Sequence, residues 1–151
     1  MTDIYDFQRK LSRRLLVWGA GSTAVGAVVG LLLPRPFVRG AALHAVVWGV
    51  INVAIALWGL HLARRGSRKY PDEYRDVADG LRLRRLLVVN SFLDIGYITA
   101  GAGLIVFFHA NDFLLGNGIG IVLQALFLLF FDFIHAWRLP KTTPPWYDPP
   151  V

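Results

Sequence analysis

The sequence predicts an all-α membrane protein, a four-helix transmembrane bundle, and three observations support this. The 151-residue chain is 55% hydrophobic, with a mean hydropathy of +0.48, which is more apolar than a soluble domain requires. Four stretches have about the 20 apolar residues that a membrane span needs, at 15–33, 41–63, 86–108 and 113–137. These stretches are apolar nearly all round, whereas helices of a soluble bundle alternate polar and apolar faces.

Basic residues lie almost entirely on one side of the predicted spans. Of the 16 Lys and Arg residues, only Arg35 and Arg39 fall in a turn on the other side. This distribution is the positive-inside pattern, which predicts a protein of the cell membrane with both termini and loop 64–85 in the cytoplasm. It also favours anionic membrane lipids over nucleic acid as the partner of the +6 net charge.

The first segment, residues 1–14, is predicted to be an amphipathic lead-in on the cytoplasmic surface, because its apolar residues recur at helical spacing. In the first span, Ser22, Gly26 and Gly30 recur every four residues. Small residues at this spacing let helices approach closely. These three residues form a ridge of small side chains, which predicts a packing face either inside the bundle or in a homodimer.

The remaining polar segments are loop 64–85 and the proline-rich cytoplasmic tail 139–151. Within the loop, residues 72–78 predict a short surface helix that ends at Gly80. The sequence has no cysteine, which excludes disulfides and thiol catalysis. It also has no phosphate-binding glycine loop and no metalloprotease helix motif. The sequence motifs therefore give no reason to expect an enzyme.

Polar side chains recur at helical spacing in each of the last three spans. They are His44, Trp48 and Asn52 in the second span, Asn90, Asp94 and Tyr97 in the third, and Gln124, Asp132 and His135 in the fourth. Residues three, four or seven positions apart share one face of a helix. If the three faces meet, they form a polar pocket in the cytoplasmic half of the membrane, with Asp94 and Asp132 as its charged centre.

A carboxylate inside a span costs about 2.5–3.5 kcal/mol and is by default a functional hypothesis. The pocket is therefore predicted to bind or transport a small molecule, lipid or ion, and in proton-coupled transport Asp94 and Asp132 could share a proton. One alternative is a structural or assembly protein whose polar residues form interhelical hydrogen bonds. Another is a redox protein that holds a metal or a haem, with His44 and His109 near one face and His61 and His135 near the other.

The two halves of the chain resemble each other at the ends of the spans. Residues 13–17, RRLLV, recur as residues 84–88, and residues 60–64 parallel residues 134–138. Arg-rich starts also recur by chance under the positive-inside rule. A true duplication would give two tandem two-helix hairpins related by an axis along the membrane normal.

Three motifs resemble a family of small four-span bacterial membrane proteins of uncharacterised function. They are WGVIN at 48–52, Asn90 with LDIGYI at 93–98, and Gln124 with Phe131-Asp132. The resemblance covers roughly residues 15–138. It implies a four-helix membrane fold in a bacterial-type inner membrane, and it implies no activity.

Overall fold

The computed structural model describes residues 3–68 and 73–139, which fold into four α helices. These are α1 (Ile4–Leu32), α2 (Pro36–Ser67), α3 (Glu73–Phe107) and α4 (Asp112–Trp137). Each helix is long and apolar enough to cross a membrane. The predicted all-α four-helix bundle is therefore confirmed.

Local sequence signals explain where the helices begin. The Asp3 side chain accepts a hydrogen bond from the Tyr5 amide at 2.9 Å, and Asn111 caps α4 in the same way through the Leu114 amide at 3.1 Å. Pro36 is the first residue of α2, where a missing N–H costs nothing. The short connections 33–35 and 108–111 make α1–α2 and α3–α4 antiparallel hairpins.

The helices differ from the predicted segments mainly by being longer. The predicted lead-in is continuous with the first span in α1, and α2 and α3 together take up most of loop 64–85. Gly80 does not end a helix but lies buried inside α3. A mid-helix glycine costs about 1 kcal/mol, and burial of Val77, 2% exposed, anchors this part of the helix. Residues 140–151 of the predicted tail lie outside the described residues.

The two hairpins join through α2 and α4. Helix α1 packs along α2, α3 packs along α4, and α2 packs against α4, whereas α1 and α3 barely touch. Both α2 and α4 follow the connections at the same end of the bundle, so they run parallel to each other. The chain thus folds as two consecutive two-helix hairpins.

Glycine lets the helix backbones touch at each of these interfaces. A Cβ atom on Gly49 would lie 2.7 Å from the Gly19 carbonyl oxygen, and one on Gly118 would lie 2.9 Å from that of Gly101. At the α2–α4 interface, a Cβ atom on Gly116 would come closer still to the Phe37 carbonyl oxygen of α2. Such contacts fix the spacing and register of the helices.

Large buried side chains lie at the end of the bundle opposite the two short connections 33–35 and 108–111. We call this the basic end. It is the end at which α1 and α3 begin and α2 and α4 finish, and it carries Arg13, Arg14, Arg64, Arg65, Arg84, Arg85 and Arg138. Its buried cluster includes Leu11, Leu87 and Phe131. The Tyr5 hydroxyl donates to Asp79 Oδ2 at 3.0 Å and so ties the start of α1 to α3.

The predicted ridge in the first span is used within the chain. Gly26 is buried, and Cβ atoms on Gly26 and Gly30 would each lie about 3 Å from Ala42 or its neighbours on α2. Two of its three residues therefore serve the α1–α2 contact.

Candidate functional site

Two carboxylates are buried between α3 and α4. Asp94 of α3 is 4% exposed and Asp132 of α4 is 7% exposed, and they are close enough for their charges to interact. Asn90, one turn from Asp94 toward the basic end, lies within hydrogen-bonding reach of the Asp132 carboxylate. We call Asn90, Asp94 and Asp132 the carboxylate site.

The antiparallel register of α3 and α4 brings these residues together. Gly101 lies opposite Val122 in this pair, and the same register places Asn90 opposite Asp132. Asp94 then lies about 6 Å further from the basic end, because four helical residues rise that far. One glycine contact near the far end of the helices therefore sets which polar groups meet deep in the bundle.

Asp94 lacks the partners that buried charge normally has. Its Oδ2 atom is buried and makes no hydrogen bond. Within residues 3–68 and 73–139, no Lys, Arg or His side chain forms an ion pair with either carboxylate. Buried carboxylates without a counter-charge are costly in an apolar environment. The carboxylate site thus has no counter-charge among the described side chains.

An aromatic run lies beyond the carboxylate site, farther from the basic end. The His44 ring stacks on Trp48 with centroids 5.1 Å apart, and the Trp48 and Tyr97 rings form a T-shaped pair with centroids 5.0 Å apart. Tyr97 is one turn from Asp94 on α3, and it is 41% exposed. These three predicted site residues thus connect α2 to α3 next to the carboxylates.

Asn52 is a second buried polar group with an unused hydrogen-bonding atom. It is 2% exposed, and its Nδ2 atom has no partner. A Cβ atom on Gly19 of α1 would lie 3.0 Å from the Asn52 Cβ atom. Asn52 is therefore placed on the part of α2 that packs against α1.

Gln124 turns toward α1 rather than toward α3. Its Oε1 atom accepts a hydrogen bond from Trp18 Nε1 at 2.9 Å. The same indole stacks on Phe127, with ring centroids 3.6 Å apart. Trp18 therefore bridges α1 to α4.

His135 also faces α1. Its Nδ1 atom lies 2.6 Å from the Phe131 carbonyl oxygen, which makes Nδ1 the donor, and its Nε2 atom accepts from Arg14 Nη1 at 3.2 Å. With both ring nitrogens engaged, neither is free to bind iron in this arrangement. His61 and His109 are two other histidines of the haem alternative, and both are exposed.

The structure therefore divides the predicted pocket in two. Asn90, Asp94 and Asp132 meet, with Tyr97, Trp48 and His44 beyond them, whereas Asn52, Gln124 and His135 are placed toward α1. Their role in binding stays a prediction. Sequence reasoning missed Arg14 and Trp18, although they lie four residues apart and share one face of the first span.

The fold and this site define a class of protein: a four-helix bundle whose helices could each cross a membrane, with two carboxylates buried between the last two. The chain belongs to a family of unknown function, DUF6992, whose model matches residues 14–133. That range includes Arg14, Trp18 and all three residues of the carboxylate site, and it stops before His135. Neither the comparison with curated proteins nor the comparison with solved structures gave a match.

Proposed function

We propose that this chain is an integral membrane protein that binds a small cation, the proton included, at the carboxylate site. Asp94 and Asp132 supply the negative charge, and Asn90 orients Asp132. The single observation that supports this is the buried, unpartnered Oδ2 atom of Asp94 beside a second buried carboxylate. The proposal places the basic end in the cytoplasm, in keeping with the positive-inside pattern.

The chemistry of the site favours a cation over an anion or a neutral apolar ligand. Carboxylate and amide oxygens are hard ligands suited to ions such as Na⁺ and K⁺ as well as to protons. A cation between Asp94 and Asp132 offsets their mutual repulsion, which is stronger in an apolar interior than in water. Ionisable groups inside membrane helices commonly serve ion and proton pathways.

The test is the thermal unfolding midpoint of the purified protein in detergent. It is measured while Na⁺, K⁺ or H⁺ is varied at an ionic strength held constant with N-methylglucamine chloride. A cation that binds only the folded state adds about 2.7 kcal/mol of stability at 100 times its Kd. We expect one of the three cations to raise the midpoint, and we expect Asp94→Asn and Asp132→Asn to remove that dependence.

Asp112→Asn is the matched control, because Asp112 is an exposed carboxylate at the far end of α4. It should keep the cation dependence. If the thermal unfolding midpoint of the wild type does not change with any of the three cations, the proposal is refuted. Flux into proteoliposomes under the same gradients then separates binding from transport.

A structural role is the second candidate function, and the hydrogen bonds between α1 and α4 favour it. Trp18–Gln124 and Arg14–His135 pair polar groups across helices, as in a bundle that uses such contacts for cohesion. Under this alternative, Asp94→Asn changes stability by the same amount at every cation concentration. The thermal titration therefore decides between the two.

A further inference from the structure

A long apolar groove runs along the outside of the bundle between α1 and α4. Its volume is about 730 Å³, and α2 forms its floor. Its walls reach from Arg14 to Val29 on α1, a length of about 22 Å at the helical rise per residue. The wall of the groove is open at Gly21 of α1, because a Cβ atom there would meet nothing within 4 Å.

A positive charge sits at the basic end of this groove. Arg14 lines the groove, and its Nη1 atom is held in place by His135 Nε2 at 3.2 Å. It forms no ion pair with a carboxylate in the described parts of the chain. The rest of the guanidinium can therefore bind an anion at the point where the apolar wall begins.

We propose that this groove binds one acyl chain of an anionic phospholipid, whose phosphate contacts Arg14. The inference rests on the membrane location proposed above, but it does not depend on the carboxylate site. An apolar wall with one cation at its headgroup end complements a molecule with an apolar chain and one anionic head.

The size of the groove favours a lipid chain over a helix of a second copy. The groove volume of about 730 Å³ lies within the range of about 300–1,000 Å³ that is typical of small-molecule pockets. A single acyl chain is much thinner than a helix, which is about 10 Å across with its side chains.

The groove can be filled by mutation without disturbing the bundle. A Cβ atom on Gly21 meets nothing within 4 Å, so Gly21→Leu should project into the groove without a clash. Gly103 of α3 is equally open but does not line the groove. Gly103→Leu is therefore the matched control for the added side chain.

The experiment is native mass spectrometry of the full-length protein in delipidating detergent. It is titrated with phosphatidylglycerol or phosphatidylcholine of identical acyl chains. We expect one tightly bound phosphatidylglycerol on the wild type and on Gly103→Leu, and at least about tenfold weaker binding of both lipids to Gly21→Leu, because the added side chain occupies the groove.

Arginine variants test the headgroup contact. Arg14→Gln should weaken phosphatidylglycerol binding by about tenfold, the effect expected from one charge-assisted hydrogen bond. It should weaken phosphatidylcholine binding less, because the choline cation already offsets that lipid's phosphate charge, so the preference for phosphatidylglycerol falls. Arg13→Gln, one residue away and outside the groove, should keep it. His135→Gln removes the support of Arg14 but leaves the guanidinium, and it should also retain the preference.

Three results would overturn the inference. The first is equal lipid binding by Gly21→Leu and Gly103→Leu, which means that the lipid is bound elsewhere. The second is an unchanged lipid preference in Arg14→Gln. The third is a wild-type dimer that Gly21→Leu dissociates, because a second copy then occupies the groove. Asp94→Asn should not alter lipid binding, so this inference and the proposed cation site can fail independently.

Discussion

The backbone contact between Gly19 and Gly49 holds α1 against α2, and we expect Gly49→Ala to weaken it. A methyl group at residue 49 would lie 2.7 Å from the Gly19 carbonyl oxygen and 2.8 Å from the Thr23 amide nitrogen. Ordinary van der Waals contact begins at 3.4 Å, so the shortfall against the Gly19 carbonyl oxygen is about 0.7 Å. The Thr23 side-chain oxygen Oγ1 lies nearer still. Because the other two obstacles are backbone atoms, rotating the Thr23 side chain away does not relieve the clash, and the two helices must move apart.

The loss of stability in Gly49→Ala can be compared with the same substitution at a glycine that has no neighbouring atoms. Overpacking of this kind destabilises by about 1–3 kcal/mol. Alanine also gains up to about 1 kcal/mol over glycine in helix propensity. Gly103→Ala gains the same propensity without a clash, since nothing lies within 4 Å of a Cβ atom there. The difference between the two variants therefore isolates the packing cost.

The assay is equilibrium unfolding in mixed micelles, followed by tryptophan fluorescence. We expect Gly49→Ala to have a free energy of unfolding about 1–3 kcal/mol lower than that of Gly103→Ala. If the two variants agree within about 0.5 kcal/mol, which is the usual effect of a neutral surface substitution, the close approach of α1 and α2 described here is wrong.

Three further predictions use the same unfolding assay. Gly116→Ala places a methyl group against an α2 carbonyl and should destabilise by about 1–3 kcal/mol; a neutral result would contradict the contact between the hairpins. Trp18→Phe should cost about 0.6–2 kcal/mol by leaving Gln124 without its donor, and a double-mutant cycle with Gln124→Leu should show coupling. Tyr5→Phe removes the hydrogen bond to Asp79 and the one that the Tyr5 hydroxyl accepts from Arg75, and it should cost about 1–2 kcal/mol; unchanged stability would contradict a stabilising role for these contacts.

Much of the fold follows from hydropathy alone. Four apolar runs separated by short turns or charged segments predict four helices, and the two short turns predict two antiparallel hairpins. The lengths of the helices were harder to predict. Gly80 is a helix-ending signal in the sequence, but burial of Val77 outweighs it, and burial is a tertiary effect that local sequence does not show.

Rotation of α4 about its axis explains why the predicted pocket divides. Asp132 and His135 are three residues apart, which separates them by about 60° around a helix, and Gln124 is about 80° from Asp132 by the same geometry. A stripe this wide can face two neighbours. Helix α4 does so, because Asp132 meets α3 while Gln124 and His135 meet α1. Only the packed structure decides which residue faces which helix.

The measurement that tests the central claim most directly is chemical labelling of Asp94. A hydrophobic carbodiimide reacts with protonated carboxyl groups that are reachable from an apolar phase, and peptide mass spectrometry locates the label. If the carboxylate site binds a cation, Asp94 should be labelled, and the cation that raises the unfolding midpoint should suppress that label in proportion to its concentration. An Asp94 label that no cation changes, or labelling of exposed Asp112 instead, would contradict the claim.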